Sequence, residues 1–492
     1  MSDHCLTVHA GGEEIILYSA GAKSLLSVLR EAGFSAPDAP CGGHGTCGKC
    51  RVFVRGMVRM DRICEVSGEV CACTAYPAGD LEIFLTDTAD AEAENTAPLS
   101  ISGGGEGYGL AVDLGTTTVS AALYDLASGK RSGINTHPNA QRAYGVDVVS
   151  RIEFCRKGDM QTLFNLTSRQ LASFCPEPER VTQCVIVGNT VMEHFAAGLD
   201  PSPLAVPPFQ AQSLFGDVRT LAAFPKARSY FTRCAGAYVG GDVLAGMMAC
   251  DLDNADGLRL YVDIGTNGEI CMGNHECFSV CATAAGPAFE GAEISCGMRA
   301  VQGAIDRVSV ENGDLRLHVL GDCSPKGICG SGLIDACAAL LELRLIGPSG
   351  RFTNRDKAPE QLRWRFTAVN GVRAFSLCEG VALTSDDIHA LLLAKAAIRA
   401  GIETLLNGRQ PDSITVAGGF GNYLSIPNAV RIGLLPSGCE VRQVGNSAFR
   451  GAIMLLADEN RARLHRLAEK CTYVELSSSE RFYQNYLSML RF

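Results

Sequence analysis

No apolar run in the 492 residues approaches the roughly 18 that a membrane-spanning helix needs, so no membrane partner is expected. Basic residues do not exceed acidic ones. The 43 Lys and Arg stand against 53 Asp and Glu, a formal charge of −10, which argues against the basic face that nucleic-acid binding requires. The opening Met-Ser-Asp-His-Cys-Leu-Thr-Val has neither a basic nor an apolar segment, so no secretory signal and a cytoplasmic location are expected. No G-x4-G-K-[ST] occurs, which removes the P-loop from consideration. What remains is an ordinary globular composition, 47% hydrophobic and 20% charged, long enough for about three domains.

Cysteine, by contrast, is plentiful at 22 residues. Most are scattered singly through apolar stretches, as reduced, buried thiols in a cytosol would be. One group is different. Cys41-Gly-Gly-His-Gly-Thr-Cys47-Gly-Lys-Cys50 spaces three thiols as C-x5-C-x2-C within a glycine-rich loop, and Cys73-Thr-Ala-Tyr-Pro follows downstream. This is close to the loop-plus-distant-cysteine arrangement of a plant-type [2Fe–2S] cluster, with one extra residue in the first gap. Cys41, Cys47, Cys50 and Cys73 are the expected ligands, with Cys64 and Cys71 as rivals for the fourth position. His44 reads as a solvated loop residue, because a Rieske centre would need a second Cys-x-x-His in this region. Cys271, Cys277, Cys281 and Cys296, with strand-like flanks, read as buried thiols rather than a second cluster. Beyond residue 378 only Cys439 and Cys471 occur, so a single [2Fe–2S] centre is expected.

The cysteine loop sits in a β-grasp-like order. Strands are expected at Cys5–Ala10 and Glu14–Tyr18 around Gly11-Gly12, then a helix over Ser24–Ala32 closed by Gly33. Further strands are expected at Arg51–Val54 and Leu81–Leu85. Residues 1–87 therefore read as a ferredoxin-like domain. Residues 88–108, small and polar, read as a flexible linker spanning about 25 Å.

Beyond the linker, strands and helices alternate and a phrase recurs. Val112-Asp113-Leu-Gly115-Thr116-Thr117 returns as Val262-Asp263-Ile-Gly265-Thr266-Asn267, each time closing one apolar strand and opening another. Two related half-domains, 109–250 and 251–492, are the simplest reading. In each turn the glycine and the following backbone N–H groups and side chains suit phosphate oxygens, and Asp113 or Asp263 suits Mg²⁺ held through water. Ile414-Thr-Val-Ala-Gly418-Gly419-Phe-Gly421-Asn422 ends a strand in bare backbone against which an adenine ring could lie. A helix over Asp386–Leu406 is expected from its apolar period, with Thr384 and Asp387 forming its capping box. Glu269 and Glu290 lie beside these motifs, and residues 282–298 suit inter-lobe or partner contacts.

The three glycine turns resemble the phosphate and adenosine motifs of the actin–sugar kinase–Hsp70 superfamily. More narrowly, Val187-Gly-Asn-Thr190-Val-Met192-Glu-His194, Gly236–Asp242, Cys281–Gly291, Ile294–Met298, Gly327–Leu333 and Ala417–Asn422, together with the cysteine loop, resemble the reductive activators of corrinoid enzymes. The resemblance covers nearly the whole chain. It implies a multidomain α/β and α+β protein: a β-grasp ferredoxin domain, a flexible linker and a duplicated actin/Hsp70-like ATPase. It implies an ATP-hydrolysing oxidoreductase that reduces inactive Co(II) to Co(I) in a corrinoid-binding protein of a methyltransferase system, a couple more reducing than the cluster. ATP, Mg²⁺ and a low-potential electron donor of ferredoxin or flavodoxin type are implied with it; a homodimer is compatible and not required. Two other readings share parts of the pattern: an iron–sulfur activator of the 2-hydroxyacyl-CoA dehydratase type, and a small-molecule kinase with a fused ferredoxin domain.

Overall fold

A computed structural model describes residues 4–10, 13–32, 34, 45, 50–85, 101–265 and 267–492. These fall into two compact units, one ending at Thr232 and the other beginning at Arg233.

The first unit opens with a five-stranded sheet in the order Glu13–Ser19, His4–Ala10, Tyr76–Phe84, Arg51–Arg59, Ile63–Cys71. His4–Ala10 runs parallel to Tyr76–Phe84, and the other neighbouring pairs are antiparallel. One helix, Leu25–Glu31, covers the sheet. Leu25, Leu26, Val28 and Leu29 bury themselves against Leu6, Val8, Val54 and Ile83. The strand Ile63–Cys71 was not expected from sequence. It is an edge strand whose residues 63–69 are half-buried or exposed, so its alternation is weakly apolar. Gly33, expected to close the helix, lies outside the described residues.

The same unit holds a six-stranded sheet, ordered Asp217–Leu221, Phe224–Phe231, Val181–Gly188, Tyr108–Leu114, Thr118–Asp125, Lys130–Pro138. The second unit repeats the plan: Glu440–Gln443, Ser413–Ala417, Arg259–Ile264, Gly268–Gly273, Phe278–Thr283, Cys471–Tyr473. In both, three antiparallel strands in sequence order are joined on one side by a later, parallel strand. The recurring Asp-x-Gly-Thr phrase falls at the same place in each, between the first and second strands of the meander. The echo in sequence is therefore an echo in topology.

The helix Ser385–Leu406 spans the core of the second unit, burying Ile388, Leu391, Ile398, Ile402 and Leu405. Its expected capping box forms: Thr384 Oγ1 accepts from the Asp387 N–H at 3.1 Å, and Asp387 Oδ2 accepts from the Thr384 N–H at 2.8 Å. The other oxygen, Oδ1, accepts from the N–H (2.7 Å) and hydroxyl (3.0 Å) of Ser295. One carboxylate thus starts the helix and anchors the Ile294–Met298 segment. That segment lies in a stack of glycine-rich backbone. Met298 N–H bonds to Ile328 O and Ile328 N–H to Cys296 O, both at 2.9 Å. A side chain on Gly330 would strike the Phe289 carbonyl. Ala285, Ala288, Phe289 and Ile294 are buried there, so much of residues 282–298 is interior. Among the described residues no helix is long and apolar enough to cross a membrane.

Candidate functional site

Cys50 immediately precedes the strand Arg51–Arg59, and Cys73 lies in the turn that follows Ile63–Cys71. Both are buried. That turn is pinned from two sides. Ala72 N–H bonds to Cys50 O at 2.7 Å, while the helix N-terminus donates from Leu26 N–H to Ala72 O and from Leu25 N–H to Ala75 O. The result places the Cys50 and Cys73 sulfurs 3.1 Å apart without a disulfide between them. Cys71 sits opposite Arg51 on the neighbouring strand, at the same level. Cys64 lies seven residues further along, about 23 Å at strand rise, opposite Val58. Strand geometry keeps it away from Cys50. Cys41, His44 and Cys47 lie outside the described residues.

The thiols of the second unit are not gathered in this way. Cys271 and Cys281 are buried in the sheet, where burial holds both thiols far above their ordinary pKa, while Cys277 is exposed and Cys296 donates to Ala382 O at 3.3 Å. No group of three or more potential metal ligands occurs among the described residues.

In the first unit, Asp113 lies one residue before the end of its strand, half-buried and opposite Ser120. The turn at Gly115, Thr116 and Thr117 is held by its carbonyls. Asn139 donates from Nδ2 to Gly115 O (2.8 Å) and from its backbone N–H to Thr117 O (2.9 Å), and Arg151 donates from Nη2 to Thr116 O (2.5 Å). Because a trans peptide points its N–H opposite its C=O, engaging Gly115 O and Thr116 O aims the N–H groups of Thr116 and Thr117 away from these donors. Arg151 is wholly buried. Its Nε donates to Gly145 O at 2.9 Å, and Nη1 lies near Gln141 Oε1 and Met192 Sδ. Asn189 donates from Nδ2 to Thr116 Oγ1 at 2.9 Å. None of Asn139, Arg151 and Asn189 was singled out from sequence. Asn189 lies within a family motif; the other two carry no local signal.

In the second unit, Asp263 lies directly between Glu269 on one neighbouring strand and Ala417 on the other. The strand after Ala417 turns at Gly418, whose φ of +89° suits glycine. A side chain there would fall 2.6 Å from Asp263 Oδ1 and 2.7 Å from Ile264 O. The expected adenosine glycine and the expected phosphate aspartate are therefore one packed piece of backbone. Gly419 follows in a right-handed conformation and opens the short 3-10 helix Phe420–Tyr423. A Cβ on Gly421 would press on Val416, and Gln443 Nε2 donates to Gly421 O at 2.6 Å and Leu424 O at 2.8 Å. Gly265 N–H bonds to Asn267 O at 2.9 Å, closing the turn. Thr266 lies outside the described residues.

Electrostatics single out the acids of this turn. Burial raises the Asp263 carboxyl to about 6, offset in part by a 3.4 Å hydrogen bond from Tyr261 Oη, itself 2.9 Å from Ser447 Oγ. Glu269 is pushed well above the carboxylate range, first by burial and then by the charges of Asp242 and Asp263. Asp242 lies in the first turn of the helix Gly241–Ala249, its Oδ1 accepting from the Val243 N–H. The charges of Asp242 and Asp263 that act on Glu269 concentrate negative potential here, which a hydrated cation would relieve. Glu290 closes a different 3-10 helix, Pro287–Glu290, at the left-handed Gly291.

Comparisons with known proteins agree with this architecture. Residues 8–78 match the family model described as a 2Fe-2S iron-sulfur cluster binding domain. Residues 108–255 match the RACo middle region, and residues 257–492 match the C-terminal domain of RACo, the ASKHA domain. The chain is 36% identical to a corrinoid activation enzyme, RamQ, of Eubacterium limosum over 77% of this chain and 69% of the relative. It is 26% identical to a [Co(II) methylated amine-specific corrinoid protein] reductase of Methanosarcina barkeri over 78% of this chain and 77% of that one. Among solved structures it resembles a reductive activator for a corrinoid, iron-sulfur protein, with a TM-score of 0.67 and 29% identity over 99% of this chain and 98% of the other. A ferredoxin-type domain followed by an ASKHA-type ATPase thus runs the length of the sequence, and the chain belongs to the family of reductive activators of corrinoid proteins.

Proposed function

We propose that this chain is an ATP-dependent reductase that returns an inactive Co(II) corrinoid, held in a partner protein, to the Co(I) state. One electron enters from a low-potential donor of ferredoxin or flavodoxin type and leaves to cobalt; ATP and water leave as ADP and phosphate. The observation that carries the reading is the union, in one chain, of a ferredoxin sheet that converges Cys50 on Cys73 with two Asp-x-Gly-Thr turns in matching sheets. Relatives that activate or reduce corrinoid proteins match more than three quarters of the chain.

Cys41, Cys47, Cys50 and Cys73 would hold the [2Fe–2S] cluster, the first two from the glycine loop and the others from the described core. When bound, the cluster supplies a one-electron carrier near about −400 mV. Burial of Cys50 and Cys73 and the tight backbone bonds around Ala72 support this assignment. In the ATPase part, the N–H groups of Thr116 and Thr117 and the matching groups of Thr266 and Asn267 take phosphate oxygens, with Gly115 and Gly265 shaping the two turns. Gly418, Gly419 and Gly421 would meet adenine with the backbone faces that are not packed against Asp263 and Val416. Asp113, and Asp263 with its acidic neighbours, would hold Mg²⁺ through water; the ion supplies charge neutralisation at the phosphates. Division into 1–87, 88–108, 109–250 and 251–492 assigns electron entry, tether and the two ATPase halves, in a cytoplasmic protein.

ATP is needed because each 59 mV uphill in a one-electron step costs about 1.4 kcal/mol. A cluster less reducing than the Co(II)/Co(I) couple leaves mostly Co(II) unless hydrolysis drives the step. The decisive experiment mixes the protein with candidate corrinoid proteins and a low-potential reductant, then follows Co(II) absorbance. MgATP should accelerate its disappearance; equal reduction without ATP would remove the coupling.

A further inference from the structure

The hydrogen bonds around Thr116 carry directional information that no comparison supplies. Asn189 is the N-cap of the helix Thr190–Ala197, and its Oδ1 accepts from the Met192 backbone N–H at 3.0 Å. A backbone N–H is always a donor, so the atom facing it must be the amide oxygen. The group 2.9 Å from Thr116 Oγ1 is then the amide nitrogen, which can only donate. Thr116 Oγ1 is thereby an acceptor in this pair, and its own proton is left to point elsewhere. Behind it, Asn139 and Arg151 occupy the carbonyls of Gly115 and Thr116.

We infer that Asn189 is a positioning residue for nucleotide: by donating to Thr116 Oγ1 it reserves the threonine hydroxyl proton for a phosphate oxygen. The cap and the phosphate contact are then two ends of one amide. The helix-capping role fixes which end faces the turn, and no rotation satisfies both partners the other way round. This inference rests on the reading of residues 115–117 as a phosphate turn.

The substitutions that test it leave the cap intact. Ser and Asp cap helices about as well as Asn, so N189S and N189D should melt, without nucleotide, within a degree or two of the parent. N189S keeps its shorter hydroxyl at the cap, so the donor no longer reaches Thr116 Oγ1, and it is expected to weaken MgATP binding several-fold in titration calorimetry. N189D adds an acceptor that takes the Thr116 proton for itself and is expected to weaken binding by at least about tenfold. Thr116→Ser, which keeps the hydroxyl, should bind MgATP more tightly than T116A. T116A should bind weakly, and the double variant T116A/N189S should bind no more weakly than T116A, because Asn189 acts through the missing hydroxyl. Parent-like affinity in N189S and N189D alongside a weakened T116A overturns the inference and leaves the phosphate turn standing. Parent-like affinity in T116A overturns it as well. Undiminished binding in T116A and in Asp263→Ala together removes the nucleotide reading on which it rests.

Discussion

Cys50 and Cys73 bring their sulfurs to 3.1 Å across the ferredoxin core, although 23 residues separate them in sequence. The contact is built by backbone: Cys50 O takes the Ala72 N–H, and the helix at Leu25 and Leu26 clamps the turn on its other side. Cys73→Ser should therefore abolish the [2Fe–2S] absorbance and lower iron content to background, whereas Cys64→Ser should leave both near the parent level. Iron retained in Cys73→Ser but lost in Cys71→Ser would move the fourth ligand to Cys71.

Asp263 gives the nucleotide-free protein a pH-dependent stability. Its carboxyl is raised to about 6 from an ordinary 3.8, chiefly by burial. The folded state thus favours the protonated form. The associated stability is complete below about pH 4 and is lost as pH rises through about 6. In Asp263→Asn the side chain is neutral throughout, so the variant should gain on the parent by on the order of 1–3 kcal/mol between pH 4 and 7. Urea midpoints at pH 4, 5, 6 and 7 measure the difference. Asp335, raised in the same direction, remains in both proteins and cancels, whereas Glu269 is relieved of the Asp263 charge in the variant and adds to its gain at the higher pH values. A difference that does not change with pH would show that Asp263 is not held neutral.

Gly418→Ala should damage fold and nucleotide binding together. The added methyl meets Asp263 Oδ1 at 2.6 Å and Ile264 O at 2.7 Å, at a φ of +89°. Strain and the displaced carboxylate should cost about 1–3 kcal/mol in denaturant titrations and reduce MgATP affinity at least about tenfold. Gly408→Ala makes the comparison sharp. Gly408 also has positive φ, +79°, but nothing within 4 Å of its Cβ position, so only the backbone penalty should appear there, without loss of nucleotide affinity.

Asp387→Asn should separate the two tasks of one carboxylate. Both oxygens now accept: Oδ2 from the Thr384 N–H, Oδ1 from Ser295. An amide retains only one acceptor, so a buried N–H loses its partner at a cost of about 1–3 kcal/mol. Thermal melts measure the loss, and hydrogen exchange at Thr384 and Ser295 shows which end the amide oxygen keeps. No loss of stability in Asp387→Asn would mean that one of these bonds contributes nothing.

The cysteine spacing, the repeated Asp-Gly-Thr phrase and the Thr384–Asp387 box were legible because each depends on residues close in sequence. Their chemistry is local: a turn, a loop or a first helical turn sets it. The strand Ile63–Cys71 escaped detection because an edge strand open to solvent has little apolar alternation to display. Asn139, Arg151 and Asn189 escaped for another reason. Their bonds to the Gly115–Thr116 turn span 24, 35 and 73 residues, and nothing local requires them.

By itself, then, the sequence determined which chemistry is proposed for the chain: thiols for iron, glycine turns and aspartates for nucleotide, in a duplicated frame. Tertiary structure decided which groups meet. It joined Cys50 to Cys73 and set Cys64 apart by the length of a strand, and it seated Gly418 against Asp263. It also turned the Asn189 amide so that its nitrogen faces Thr116. The physical reason is the same in each case. Strand pairing and helix capping fix register to within one residue, and register alone determines whether distant side chains touch.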